Sequence, residues 1–213
     1  SNAQRAALDS LGQRVYHKTL SRHVRRSTTI ASSPESAIGE TAPEHFVIRE
    51  NGVKFELSFQ EGYSVGLFLD QRDNRRRLLH RHIAADFGLG TPDGEWTVLN
   101  TFAYTCGFSV CAALAGPPTP RLALPQKYRE WGKRNFALHN LDPTQHDFIY
   151  GDTFDWLKRF AKKGRAFDLV ILDPPTFSQS KESGLFRAEK DYGKLVATAL
   201  PVLKPGGVLL AST

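Results

Sequence analysis

Asp173, Pro174 and Pro175 end the apolar run Leu169-Val-Ile-Leu172, and they are the residues of this chain best suited to chemistry. Proline fixes φ and has no N–H, so the carbonyl oxygens around the pair are left without a local donor. The segment is therefore a stiff acceptor edge with a carboxylate at its start, suited to gripping a planar base or an amino group. A carboxylate at a buried strand end is costly unless something pairs with it. A rigid turn with a capped aspartate is the plain alternative. The polar run Ser178 to Ser183 and Gly184 suggest a mobile lid after it.

Two further loops carry candidate chemistry. Phe102-Ala-Tyr-Thr-Cys-Gly-Phe-Ser109 follows the run Thr97-Val-Leu-Asn-Thr101 and holds one glycine, Gly107. It is not a dinucleotide fingerprint, because a pyrophosphate needs close backbone approach from several glycines. A ligand without phosphates, such as S-adenosylmethionine, needs less. Gly151-Asp152 ends another run. Asp152 suits either an adenine amino group or the N-terminal cap of the next helix.

Positioning these loops takes a regular framework. From Trp96 the chain alternates: strands at 97–101, 121–124, 147–150, 167–172 and 207–212, and helices at 108–115, from Pro125, at 153–162 and at 191–203. Pro125 opens its helix where a missing N–H costs nothing. That rhythm predicts a doubly wound, mostly parallel α/β sheet, whose ligands lie outside the carboxyl ends of the strands. Before it, His45 to Arg49 and Val53 to Phe59 flank Asn51-Gly52, a hairpin signal. A short strand is expected at 64–69, and a helix over 72–87 with Leu79, Ile83 and Phe87 as its stripe. Residues 6–24 read as a basic helix and 27–43 as a linker; Ser1-Asn2-Ala3 looks like a tag remnant. The expected division is 1–44, a small β-hairpin region at 45–71, and the main domain at 72–213.

The chain has 213 residues, 40% hydrophobic, with a net charge of +6 and a pI of about 9.4. The charge is clustered. Arg5, Arg14, Lys18, Arg22, Arg25 and Arg26 stand against Asp9, and Arg72, Arg75, Arg76, Arg77 and Arg81 against Asp73. Such clusters suit phosphate contact, or are solvated helix faces. No run is long enough for a membrane span, and no secretory signal is visible. Cys106 and Cys111, five apart, are a poor disulfide or zinc spacing and read as reduced thiols of a cytoplasmic protein without a metal.

Val98-Leu-Asn-Thr-Phe-Ala-Tyr-Thr-Cys-Gly-Phe-Ser109, Tyr128-Arg-Glu-Trp-Gly-Lys-Arg-Asn135, Gly151-Asp152 and Asp173-Pro-Pro-Thr-Phe-Ser-Gln-Ser-Lys181 together resemble the class I S-adenosylmethionine-dependent methyltransferases of 23S ribosomal RNA. Gly66-Leu-Phe-Leu-Asp-Gln-Arg-Asp-Asn-Arg75 is similar to that family's signature ahead of its catalytic domain. The resemblance implies a Rossmann-like methyltransferase sheet and a bound S-adenosylmethionine. It implies that Asn100, Phe102, Ala103, Tyr104, Thr105, Gly107, Phe108 and Ser109 hold the cofactor with Asp152 at its adenine. Phe68, Asp70 and Arg72 would close the cofactor end. Asp173, Pro174 and Pro175 would line the transfer site, and Arg75, Arg76, Arg77, Phe177 and Lys181 would meet RNA.

Three departures stand out. Ala123 occupies the place of an acid that binds the ribose, which implies weak cofactor binding, and Pro117, Pro118 and Pro120 imply a short, displaced strand end. Cys106 stands where a glycine is usual. Thr213 follows the fifth strand, so two strands of the usual sheet are not in the sequence. Cytosine C5 methylation needs a cysteine to add to the ring; the resemblance implies that it would follow the fifth strand, and Ala211-Ser212-Thr213 has none. Amino-group methylation favours an aromatic where Thr176 stands. Guanine N7 chemistry is left by elimination. The alternatives are a non-catalytic RNA-binding or assembly protein on a degenerate methyltransferase fold, and a small-molecule methyltransferase.

Overall fold

The structure, a computed structural model, describes residues 14–18, 33–61, 64–84, 87–89, 96–116, 121–123, 126–149, 151–180 and 184–212. It divides into two compact units, Ser1–Asp70 and Gln71–Thr213. In the first, Val15–His17 (β1) pairs antiparallel with Glu35–Ile38 (β2). Both the helix expected over 6–24 and the linker expected over 27–43 are corrected at these residues. Tyr16 gives the reason. Its ring lies 4.2 Å from that of Phe59, and its hydroxyl accepts the Ala42 N–H. Contacts between residues distant in sequence outweigh local helix propensity. The rest of both segments lies outside the described residues.

Phe46–Glu50 (β3) and Val53–Leu57 (β4) form the expected hairpin. Asn51 and Gly52 turn it with φ of 50° and 81°, the positive values a tight hairpin turn needs. Val53, Phe55 and Leu57 are the buried alternate positions of β4. The strand expected at 64–69 is absent. Instead the Val65 carbonyl accepts the Ser58 N–H at 3.0 Å, and Leu69–Gln71 makes a single 3₁₀ turn.

The second unit opens with Arg72–Leu79 (α1). This helix stops at Leu79, not at Phe87. Arg81 takes φ of 51°, its N–H bonds the Leu78 carbonyl, and its guanidinium lies 4.9 Å over the Trp96 ring. His82–Ala84 (β5) and Phe87–Gly88 (β6) then pair antiparallel, so Ile83 and Phe87 are strand residues.

Beyond Trp96 the chain lays down Val98–Asn100 (β7), Gly107–Leu114 (α2), Arg121–Ala123 (β8), Gln126–Ala137 (α3), Phe148–Ile149 (β9), Thr153–Lys162 (α4) and Phe167–Leu172 (β10). Phe177–Ser180 (β11), Gly184–Arg187 (β12), Ala188–Ala199 (α5) and Leu203–Ala211 (β13) complete it. The sheet order is β13-β10-β7-β8-β9, and every pair is parallel. Leu169 to Leu172 are wholly buried. Phe154, Leu157 and Phe160 of α4 and Leu195 and Ala199 of α5 pack with Val170 and Leu172. Each large apolar side chain buried in this way contributes about 1.5–3 kcal/mol.

Four details differ from expectation. Ala123 pairs with Ile149 in register, so the end of β8 is short but not displaced. The helix expected at 191–203 starts at Ala188, because the Asp191 carboxylate accepts the Arg187 N–H at 2.8 Å and so sits inside the first turn. Lys204-Pro-Gly-Gly207 is a bulge inside β13, where pairing jumps from Phe167–Leu203 to Leu169–Val208. A Cβ at Gly207 would stand 2.9 Å from the Lys204 carbonyl oxygen. The lid expected after Asp173 is the antiparallel hairpin β11–β12, with 181–183 outside the described residues.

Candidate active site

The sheet changes direction between β7 and β10: β8 and β9 lie on one side, β13 on the other. In such a sheet this reversal, at the carboxyl ends of the strands, is where a ligand cleft is expected. Asn100 ends β7 with no exposed surface. Its Nδ2 donates to Ser109 Oγ at 3.0 Å, and its Oδ1 has no hydrogen-bond partner among the described residues. Thr101 clamps the loop. Its N–H and Oγ1 both donate to the Ile171 carbonyl, at 3.2 and 2.8 Å, and its carbonyl accepts Thr153 Oγ1 at 3.1 Å. Asn135, wholly buried on α3, donates to the Thr105 carbonyl at 2.8 Å. Tyr104 takes φ of 48°, with its ring edge-on to Tyr128 at 4.6 Å.

Cys106 caps α2 with φ of 72°. A side chain in that left-handed region costs roughly 1–2 kcal/mol, a cost that glycine would not carry. Its thiol is fully buried, and burial pushes its pKa well up. Ala103, Gly107, Phe108 and Ser109 are also buried, and Phe102 is half-buried.

Across the cleft, Asp173 leaves β10. Ser212 Oγ donates to its Oδ1 at 2.7 Å, while the Ser212 N–H bonds the Leu172 carbonyl at 2.9 Å. The Tyr192 hydroxyl lies 3.1 Å from the Leu172 carbonyl and 2.9 Å from that of Ser212. Burial and the Asp173 carboxylate raise the Tyr192 pKa. The aspartate is thus held by Ser212, whose backbone carbonyl Tyr192 in turn bonds, and neither residue carries a signal in the sequence. Pro174 is buried; Pro175 and Thr176 are exposed.

Of the two readings of Asp152, the cap is realised: its Oδ1 accepts the Asp155 N–H at 3.2 Å. Gly151 precedes it at φ 133°, with Trp156 Nε1 only 2.8 Å from where a Cβ would stand.

The other candidates fall in both units. Phe68, 43% exposed, and Asp70 belong to the first unit, whereas Arg72 opens α1 of the second. Arg75 is 2% exposed, which corrects its expected place among phosphate contacts. Arg76 and Arg77 are exposed and lean on Asp73 at 3.8 Å and Asn74 at 3.0 Å. Arg14 pairs with Glu40 at 2.9 Å. Lys181 and the side chain of Ala123 lie outside what the structure describes. Among the described residues no cluster of His, Cys, Asp and Glu could hold a metal, and no helix is long and apolar enough to cross a membrane.

Comparison with known proteins supplies the remaining facts. A family model described as S-adenosylmethionine-dependent methyltransferase matches residues 6–213. The chain is 39% identical over 170 residues to ribosomal RNA large subunit methyltransferase K/L of Psychrobacter sp. (strain PRwf-1), covering 78% of this chain and 19% of that protein. It is 38% identical over 175 residues to ribosomal RNA large subunit methyltransferase I of Aeromonas salmonicida, covering 81% and 41%. The chain therefore spans less than half the length of these relatives. The solved structure of SMU.776 complexed with SAH superposes with a TM-score of 0.72 at 33% identity, over 83% of this chain and 43% of that one.

Proposed function

The chain belongs to the S-adenosylmethionine-dependent methyltransferases, and from that membership we propose that it transfers a methyl group from S-adenosylmethionine to RNA of the large ribosomal subunit. The names of its relatives support the substrate class. One juxtaposition carries the reading: at the reversal of the sheet, a buried amide whose acceptor has no partner among the described residues ends β7 beside a serine-held carboxylate that leaves β10.

The residues present fit the cofactor. Asn100 Oδ1 is a buried acceptor without a partner among the described residues, of the kind an ammonium or hydroxyl of a nucleoside ligand satisfies. The loop 102–109 lacks the glycines of a phosphate cradle, and S-adenosylmethionine has no phosphates. In our reading Asn100 and residues 102–105 and 107–109 hold it, and Asp152 combines its capping role with the adenine end. The cofactor supplies a methyl group on a sulfonium, open to direct displacement by a nucleophile.

What the chain contributes is placement of two reactants, which dominates the rate gain in such a displacement. Asp173 and the carbonyl edge of Pro174 and Pro175 accept hydrogen bonds from the target base, which must be unstacked to reach them. Arg76 and Arg77 hold phosphates. The finer reading is guanine N7, whose lone pair attacks without a base. Cytosine C5 chemistry needs a thiolate at the base. Both cysteines are buried, Cys106 wholly and Cys111 to 2% exposure. Neither cysteine forms a disulfide, and the reading implies a reducing compartment such as the cytoplasm, where such RNA is found.

The test is nucleoside analysis of large-subunit RNA after incubation with the full chain and S-adenosylmethionine. 7-Methylguanosine is expected. 5-Methylcytidine would overturn the N7 assignment and leave the RNA methyltransferase reading standing.

A further inference from the structure

The hairpin β11–β12 has two unlike faces. Ser178 pairs with Phe186, and Phe186 is 6% exposed and packs against Phe154 at 6.1 Å in the core. On the opposite face Phe177 stands directly across from Arg187. Side chains alternate along a strand, so Leu185 shares that face with them. Phe177 is 51% exposed and Leu185 46%, and Arg187 is exposed as well. The Arg187 backbone N–H is used by Asp191, but its guanidinium makes no ion pair or hydrogen bond among the described residues.

An aromatic plane and an unpaired guanidinium opposed across one strand pair are the two surfaces on which an unstacked base is held. The pair also adjoins the transfer loop. The Thr176 carbonyl anchors the start of α5 by accepting the Ala188 N–H at 3.1 Å, so loop and hairpin are tied at their base. Phe177 follows Asp173 so closely in the chain that their separation cannot exceed about 14 Å. That is the neighbourhood of a nucleotide next to the one at Asp173.

We propose that Phe177 and Arg187 form a stacking subsite for an unpaired base flanking the methylated nucleotide. The proposal rests on the RNA reading above and adds a requirement for single-stranded character beside the target. Phe177 supplies the plane, Arg187 a cation for the ring or the adjoining phosphate, and Leu185 an apolar border.

The experiment is fluorescence anisotropy of the full chain with a labelled short unpaired RNA and with an abasic strand of equal length. The unaltered chain should prefer the RNA over the abasic strand. Phe177→Ala should weaken RNA binding about 5- to 150-fold, the range for loss of one stacked base, and leave abasic binding unchanged. Phe177→Leu, which keeps apolar bulk without a plane, should behave like Phe177→Ala, and Phe177→Trp should retain affinity. Arg187→Ala should weaken binding and lower the salt slope by about one unit. Equal affinity of the unaltered and Phe177→Leu proteins for RNA overturns the subsite. If large-subunit RNA is nevertheless methylated, the functional reading survives that loss; if the unaltered chain neither binds nor methylates RNA, both fall.

Discussion

At the scale of single residues, the site turns on how Asp173 is held. Its identity was legible, because an acid and two prolines ending an apolar run have few other uses. Its support was not: Ser212 reaches it from 39 residues away, and the Ser212 carbonyl is bonded by Tyr192 from a helix that begins three residues earlier than its sequence pattern suggests. Nothing local in Ala211-Ser212 signals that role. A hydrogen bond to a charged group is worth about 1.5–3 kcal/mol. Ser212→Ala should therefore lower kcat by roughly ten- to a hundredfold, with little change in the affinity for S-adenosylhomocysteine. Steady-state kinetics beside calorimetry check this. A loss of cofactor affinity with kcat intact would make Ser212 a structural residue of the cofactor end instead. Asp152 shows the opposite limit. The sequence allowed two roles, and the cap is the one the described contacts display.

At the scale of elements, strong local periodicity was legible and tertiary contacts were not. β10 and α4 fall where expected because an unbroken apolar run and a capped amphipathic helix announce themselves. β1 was hidden in an apparent helix, since its pairing with β2 and the meeting of Tyr16 with Phe59 join residues far apart in sequence. The helix at Arg72 is shorter than its apolar spacing suggests because Arg81, at positive φ, is not a residue that normally signals a stop. At the amino ends of the sheet lies a further cross-strand tie with no sequence signature. Asp168 Oδ2 accepts the Thr97 N–H at 2.7 Å, Thr97 Oγ1 at 2.8 Å and Lys204 Nζ at 2.8 Å, joining β10 and β13 to the residue that leads into β7. Burial pushes this carboxyl up, but the bonds from Lys204 and Thr97 outweigh it and hold its pKa below the ordinary 3.8. A lowered folded-state pKa gives stability that is complete above the ordinary value and lost as pH falls through the lowered one. The thermal midpoint of the unaltered protein should therefore carry an acid-side loss, below about pH 4, that Asp168→Asn reduces. Identical acid-side slopes in the two proteins would remove Asp168 from the account.

At the scale of the whole molecule, the net charge of +6 is an argument about partners rather than fold. The order β13-β10-β7-β8-β9 places the loops after β7 and β10 side by side; the strand–helix rhythm made the doubly wound parallel sheet legible, not the order of its strands. The basic clusters were legible as charge but not as surface. Arg75 is buried while Arg76 and Arg77 are exposed, because α1 turns one face inward with Leu78. Replacing Arg76 and Arg77 with Ala should flatten the dependence of RNA affinity on salt by about one unit for each phosphate no longer neutralised. Arg75→Ala should instead lower the unfolding midpoint. A salt slope unchanged by the double substitution would mark α1 as a solvated face.

The central claim is that this chain moves a methyl group from S-adenosylmethionine onto large-subunit RNA at a cleft governed by Asp173. Tritiated methyl transfer tests it most directly, with the full chain and its Asp173→Asn variant offered large-subunit RNA and, separately, a pool of small metabolites. The account predicts label in the RNA fraction with the unaltered chain, and label lost in Asp173→Asn while its unfolding midpoint stays put. Label confined to the small metabolites, or undiminished in Asp173→Asn, would contradict it.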